Sequence, residues 1–201
     1  MLPLLLVLLL GIADFGRVFA AGITIEAAAR NAAEVGAIER LRNKPPDPFL
    51  EPVEHQAYYE TLHELIAKTA CSESRLLPNA TFVDDDDATT PLIDESRTCP
   101  QMPVIGVCVR DDLDPLCGAA IDGFASPPPP ECGQLGTGWT NVSGGAEASH
   151  SVEVRICYHF TTLFNLHLAL PLQNGINLGD VWLYRSRVFV LDCPPGDVST
   201  C

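Results

Sequence analysis

The N-terminus constrains this chain most, because the apolar run LPLLLVLLLGIA at residues 2–13 continues into an Ala-rich stretch with no proline between Pro3 and Pro45. Residues that favour helices dominate throughout this stretch. We therefore predict one continuous helix from about Pro3 to Arg42, followed by a Pro-rich linker over residues 45–53.

The length of the apolar run bears on whether this helix can cross a membrane. Residues 1–13 would span about 20 Å as a helix, whereas the hydrocarbon core of a bilayer is ~30 Å thick. The run reaches that thickness only if it continues past Asp14 and Arg17 toward Ile25. These two charged residues are three apart, so they can pair on one helix face, and the Arg17 side chain can extend to the headgroups.

Three interpretations of the N-terminus remain open. The first is a signal peptide, with Val18 and Ala20 preceding a cut before Ala21, although a basic n-region is missing and two charges precede the site. The second is an amphipathic surface helix, although the first ten residues are almost entirely apolar. The third is a membrane helix that lacks its beginning, and we predict such a transmembrane segment over residues 1–24.

A small-residue pattern in the following helix, residues 25–44, favours the membrane interpretation. Small side chains that recur every four residues allow a neighbouring helix to approach closely. A membrane-anchored stalk needs such a helix, whereas a cleaved signal peptide does not. The residues that we predict to make helix–helix contacts are Gly16, Ala20, Ala28, Ala32 and Gly36.

Charge separates this apolar helix from the rest of the chain. The formal net charge is −14, and residues 71–201 carry most of it, with six basic against 17 acidic residues. A nucleic-acid-binding protein needs a basic surface, so that class of partner is excluded. The same region, within a predicted head over residues 54–201, holds all eight cysteines of the sequence.

The cysteines indicate the compartment. No two of them show the C-x-x-C spacing of structural zinc and thioredoxin-like sites, and an even number spread over an acidic region favours disulfides in an oxidising compartment. Reduced thiols in a cytosolic protein are the alternative. The sequence does not choose among the pairings; we suggest Cys193 with Cys201, and Cys108 with Cys157 because both lie on predicted strands. The disulfide candidates are Cys71, Cys99, Cys108, Cys117, Cys132, Cys157, Cys193 and Cys201.

Periodicity predicts the elements of the head. Residues 54–70 form an amphipathic helix, and strands follow at Val104–Arg110, His150–Phe160 and Val181–Leu191, the last with a bulge near Ser186. The predicted fold class is α+β: a long N-terminal membrane helix followed by a pilin-like, disulfide-bonded head with one helix on a small antiparallel sheet. The apolar stripe of the head helix comprises Tyr58, Leu62, Leu65, Ile66 and Thr69.

Two segments resemble a known family. GIADFGR at residues 11–17 and NAAEVGA at residues 31–37 resemble the opening of TadE/TadG-like pseudopilins of the tight-adherence (Flp, type IVb) pilus system. The resemblance covers residues 2–40 and, more loosely, 150–191, where VEVRICYHF resembles a late strand of the family. Family members usually carry a basic leader and a glutamate that a prepilin peptidase reads; neither precedes Met1, so we expect the true start to lie upstream.

This resemblance implies a single-pass protein of the inner (cytoplasmic) membrane with its C-terminal head outside the cytoplasm. It implies pilus assembly, secretion-like transport and adhesion, with other pilins, pseudopilins and pilus assembly proteins as partners, and no enzymatic turnover. Asp14 and Arg17 would mark the membrane exit or pair with neighbouring subunits. The alternatives are a secreted disulfide-rich binding protein released after Ala20 and a disulfide-rich hydrolase whose site the sequence does not reveal.

The sequence offers no convincing site for chemistry, and we predict no catalytic residue, metal or cofactor. His55 and His63 lie about 12 Å apart on a helix, too far to share a metal. The acidic runs Asp84–Asp87 and Asp111–Asp114 could hold Ca²⁺, but neither follows an EF-hand pattern, and we interpret both as solvated loops.

Overall fold

In the part of the chain that the structure describes, two helices pack on a three-stranded sheet. The computed structural model describes residues 2–83, 98–111, 113–135, 139, 150–162, 167–168, 176–177 and 180–191. Helix α1 runs unbroken over Leu2–Arg42, as predicted. Helix α2 covers Pro52–Glu73 and begins with a proline, whose fixed φ and missing N–H suit the first helical turn. The predicted helix over residues 54–70 lies within it.

The sheet is antiparallel and has the order β1-β2-β5, which confirms the α+β prediction. Its strands are β1 (Val104–Arg110), β2 (Ser151–Thr161) and β5 (Asp180–Val190). Between β2 and β5, the short strands β3 (His167–Leu168) and β4 (Ile176–Asn177) pair with each other. A 3₁₀ helix covers Pro130–Leu135.

The predicted bulge near Ser186 is wrong. Pairing between β2 and β5 runs without interruption from Ser151–Val190 to Thr161–Asp180, and Ser186 lies opposite Arg155. No bulge is needed, because Arg185 and Arg187 lie on the sheet face that α1 covers and reach its edge, where both pair with Glu26.

The core lies where both helices cover one face of the sheet. Helix α1 contributes mainly alanines, which let its backbone approach the strands, while α2 and β2 contribute larger side chains. Two residues of the stripe predicted for α2, Leu62 and Ile66, are buried as predicted, whereas Tyr58, Leu65 and Thr69 are half-buried. Tyr59 is fully buried in place of Tyr58. The small residues Ala67 and Ala70 complete the buried face of α2 instead.

Among the described cysteines, three disulfides form: Cys71–Cys99, Cys108–Cys117 and Cys132–Cys157. The suggested Cys108–Cys157 pair is therefore wrong. In the β1–β2 register Cys157 lies opposite Val104 and Cys108 opposite Glu153, so the two cysteines are four positions out of register. Cys193 and Cys201 lie outside the described residues, as do Asp84–Asp87 and Asp112.

Candidate membrane and assembly interface

The first half of α1 exposes large apolar side chains that the head does not cover. Helix α1 is long and apolar enough to cross a membrane, because an 18-residue window within Leu8–Arg42 has a mean hydropathy of 1.7. Water-exposed apolar surface of this extent marks a contact with lipid or another protein. The exposed side chains, between 50% and 74% accessible, are Leu5, Leu6, Leu8, Leu9, Ile12, Phe15, Phe19 and Ile23.

The direction of β2 shows where α1 leaves the head. Near the start of β2, a β-carbon placed on Gly36 would lie 3.1 Å from Cγ1 of Val152. Near its end, the guanidinium carbon of Arg17 lies 5.3 Å from the centroid of the Phe160 ring. Strand β2 thus runs along α1 in the opposite direction, and residues 2–16 extend past the end of the sheet by about 22 Å, at ~1.5 Å per residue.

Asp14 and Arg17 form the predicted ion pair, with a distance of 3.3 Å between Arg17 Nη1 and Asp14 Oδ1. The Arg17 guanidinium also lies over the Phe160 ring in a cation–π contact. The pair therefore sits where the apolar segment meets the end of the sheet. Its role at a membrane exit remains a prediction.

The small residues predicted for helix–helix contacts fall into two groups. Gly16 and Ala20 are exposed, and a β-carbon on Gly16 would meet no atom within 4 Å. Ala28 and Ala32 are fully buried inside the chain's own core. Gly36 is buried against α2, where an added β-carbon would lie 2.5 Å from Cδ1 of Ile66. Only the first group is available to another molecule.

An exposed groove continues the apolar face of α1 beside the head. Ile23, Glu26, Arg30 and Glu34 line it. Glu26 pairs with Arg187 and, at 3.7 Å, with Arg185 of β5. All three side chains are more than 40% exposed, so these pairs add little stability. These pairs place positive and negative charges side by side next to the apolar segment of α1.

A buried ionic network lies at the end of the head that is remote from the apolar segment of α1. Arg40 Nε donates to Asp111 Oδ2 at 2.7 Å, and the Tyr59 hydroxyl donates to the same oxygen at 2.5 Å. Burial would lower the pKa of Arg40, but the hydrogen bond and charge of Asp111 outweigh it, and the pKa is raised. Burial, together with the charge of Asp111, raises the pKa of Tyr59. The network fastens α1 and α2 to the turn after β1.

A second buried pair joins His63 of α2 to Asp114, with 2.8 Å between Nε2 and Oδ2. Asp114 also accepts the backbone N–H of Val109. The interpretation of Asp111 and Asp114 as solvated is therefore wrong, because their carboxylates are buried and paired. Sequence reasoning missed this because the partner side chains, Arg40 and His63, lie 71 and 51 positions away.

The surface next to His63 carries several polar side chains. An open depression of about 320 Å³ is lined by His63, Thr61 and several carboxylates, and the Thr61 hydroxyl donates to the carbonyl of Ala57. His55 lies at the other end of α2, with its ring centroid 5.1 Å from that of Tyr59. Within the described ranges, no three His, Cys, Asp or Glu side chains converge on a metal-sized site.

The comparison with protein families points to the same part of the chain as this geometry. Residues 1–34 match the family model described as TadE-like protein. The matched segment contains every exposed apolar residue of the first half of α1 and the Asp14–Arg17 pair. No curated protein and no solved structure matches the chain significantly.

Proposed function

We propose that this chain, whose first 34 residues are TadE-like, is a membrane-anchored, pseudopilin-like component of a tight-adherence pilus assembly system. The proposal rests on the position of the family match within α1. The family match falls on the part of α1 whose large apolar side chains the head leaves uncovered. Its partners would be the inner membrane, other pilins or pseudopilins, and pilus assembly proteins.

The part of α1 before Arg17 would lie in the membrane, where it would cover about 22 Å of a hydrocarbon core that is ~30 Å thick. A helix satisfies its own backbone hydrogen bonds, and its uncovered apolar side chains are compatible with lipid. The Asp14–Arg17 pair would lie at the membrane surface, where Arg17 can reach headgroups while Asp14 offsets its charge. The head would lie outside the cytoplasm, in an environment that preserves its three disulfides.

Assembly would use the outer face of α1. Gly16 and Ala20 allow another helix to approach, and the exposed Phe19 and Ile23 supply apolar contact area. The groove above them carries Glu26, Arg30 and Glu34, which can select the register of a neighbouring helix through opposite charges. The buried residues Ala28, Ala32 and Gly36 would instead hold the head on its own helix. On this proposal the protein acts by assembly and not by turnover.

One observation favours the alternative of a secreted binding protein cut after Ala20. The fully buried apolar residues of α1 begin at Ala21, so a cut there would keep them in the head and would remove Val18 and Arg17, which contact the core from its edge. The two proposals therefore differ in what residues 1–20 do. In the first they remain and anchor the chain; in the second they are removed.

Photo-crosslinking in the native host membrane tests the proposal. A photoreactive amino acid replaces Phe19 or Ile23 in the full chain, and Leu113, also exposed but in the turn after β1, serves as the matched control. We expect Phe19 and Ile23 to form adducts with other pilus proteins and Leu113 to form none of the same adducts. A soluble extracytoplasmic protein that begins at Ala21 would overturn the proposal and support the secreted alternative.

A further inference from the structure

The two edges of the main sheet differ in how their backbone groups are satisfied. Strand β1 forms one edge, and the segment that follows it covers that edge. The N–H of Gly118 donates to the carbonyl of Val107 at 2.8 Å, and the Asp114 carboxylate accepts the N–H of Val109. Strand β5 forms the other edge, and among the described residues no strand or loop pairs its backbone with the outer side of β5.

The pairing of β5 with β2 shows which backbone groups face outward. Leu191, which follows β5, donates its N–H to the carbonyl of His150. In an antiparallel ladder, successive residues point their backbone groups alternately toward the partner strand and away from it. The even-numbered residues of β5 therefore direct their N–H and C=O groups outward. Two of these carbonyls, on Tyr184 and Ser186, accept hydrogen bonds from the guanidinium of the next residue in the chain.

Beyond these arginines the edge is both unpaired and apolar. Val188 and Val190 are 51% and 54% exposed, and Phe189 between them is 39% exposed. In the described part of the chain, no backbone group bonds to the outward N–H and C=O of the two valines. An unpaired strand edge is a template for another strand, and proteins usually protect such an edge with charged residues or proline. The last three residues of β5 provide neither protection.

Charge restricts what can pair with this edge. Among the described carboxylates, Arg185 and Arg187 share only Glu26, so the edge carries excess positive charge on the face that α1 covers. Like charges opposite each other across two strands are destabilising, which disfavours pairing with the β5 edge of a second copy. The β1 edge of a second copy is already covered. A strand with carboxylates on one face and apolar side chains on the other would match both the arginines and the valines.

We infer that the outer edge of β5, over residues 186–190, is a docking site for an extended segment of another protein, which adds a strand to the sheet. The segment would alternate apolar residues, which contact Val188 and Val190, with acidic residues, which face Arg187. Main-chain hydrogen bonds would supply the affinity, and the alternating side chains would supply the specificity. The edge belongs to the head, so the inference does not depend on the proposed anchor or on assembly through α1.

A designed peptide tests the inference on the purified full chain in detergent. The probe is acetyl-Thr-Val-Glu-Val-Glu-Val-Thr-amide, and the control peptide has the same composition in the order Thr-Val-Val-Val-Glu-Glu-Thr. Hydrogen exchange of the backbone amides is followed by NMR on protein that contains isotope-labelled valine. At saturating probe we expect exchange at Val188 and Val190 to slow by about tenfold, and the control peptide to change neither. No slowing with either peptide, or equal slowing with both, would overturn the inference.

Two variants separate backbone pairing from side-chain contact. Val188→Pro removes an outward N–H and leaves the bonds between β2 and β5 in place, because proline is tolerated on an edge strand where its nitrogen faces solvent. The matched control Val188→Thr keeps both the N–H and the branched side chain. We expect the probe to slow exchange at Val190 in Val188→Thr and to have no effect in Val188→Pro. Equal effects of the probe on the two variants would overturn the inference.

Discussion

Gly36 of α1 faces Ile66 of α2 so closely that a β-carbon on the glycine would lie 2.5 Å from Cδ1 and 2.7 Å from Cγ1 of Ile66. Val152 of β2 would be 3.1 Å away on the other side. Two helices and the central strand thus meet at a residue without a side chain. The contact holds the head on the helix that the proposed function places in the membrane.

The first prediction concerns this contact. Gly36→Val should lower the free energy of unfolding by about 1–3 kcal/mol, because the added methyl groups force Ile66 and Val152 to move. Chemical denaturation in detergent, followed by near-ultraviolet circular dichroism, measures the change. Gly16→Val is the matched control in the same helix, where no atom lies within 4 Å. Equal losses in both variants would contradict the close packing at Gly36.

The second prediction concerns the buried pair of Arg40 and Asp111. Asp111→Asn removes a buried counter-charge from the Arg40 guanidinium, and we expect the free energy of unfolding to fall by about 3–5 kcal/mol. Replacing Arg40 as well, as Arg40→Met, should restore part of that loss. As a control, Glu26→Gln removes the exposed partner of Arg187 and should lower the free energy of unfolding by less than about 1 kcal/mol. A comparable effect of Asp111→Asn and Glu26→Gln would show that the Arg40 site is not buried.

The third prediction concerns the disulfides. Cys71–Cys99 closes a separation of 28 residues and Cys108–Cys117 one of nine. A longer closed loop removes more conformational entropy from the unfolded chain, so the first bridge should stabilise the protein more. Replacing each pair by alanine should lower the free energy of unfolding by about 3.5 kcal/mol for the first bridge and about 2.5 kcal/mol for the second. Denaturation of the two double variants measures this difference. The reverse order, or peptide mapping that recovers other pairs, would contradict the assignment.

The fourth prediction concerns alkaline pH. Burial raises the pKa of Tyr58 to about 12, and it also raises the pKa values of Tyr59, Tyr158 and Tyr184. The unfolded chain therefore releases phenolic protons first, from about pH 10, while the folded chain retains them. The contribution of the buried phenols to the free energy of unfolding is therefore fully present below that pH and decreases as the pH rises toward 12.

Tyrosinate absorbance at 295 nm checks this prediction. The folded protein should titrate at higher pH than the same chain in guanidinium chloride, where the midpoint should be about 10. Tyr58→Phe should remove a component near pH 12. Coincident titration curves for the folded and unfolded chains would contradict the burial of these phenols.

Local sequence patterns predicted the two helices and the three strands of the main sheet, but not β3, β4 or the 3₁₀ helix. The uninterrupted run of helix-forming residues predicted α1, and the alternation of Val152, Val154 and Ile156 predicted β2, because each signal depends only on neighbouring residues. The α+β class followed from the order of these elements. The Asp14–Arg17 ion pair could also be predicted from the sequence, because the two residues are close together along the helix.

Contacts between residues that are far apart in the sequence could not be predicted from it. Arg40 and Asp111 meet only because α1 and the turn after β1 reach the same end of the head. The Cys132–Cys157 bridge likewise depends on a loop that returns to β2. Spacing also did not separate Gly16, which faces outward, from Gly36, which packs inside the chain, because both fit the same helical repeat. Tertiary contacts decide these cases.

The central claim is that α1 anchors the protein with its head outside the cytoplasm. The most direct test makes two separate measurements in the native host: alkaline carbonate extraction of untreated membranes, and trypsin treatment of intact spheroplasts. We predict that the chain remains in the carbonate-resistant membrane fraction and that trypsin reaches exposed head sites such as Arg75 in intact spheroplasts. Release by carbonate, or a head cleaved only after lysis, would contradict the account.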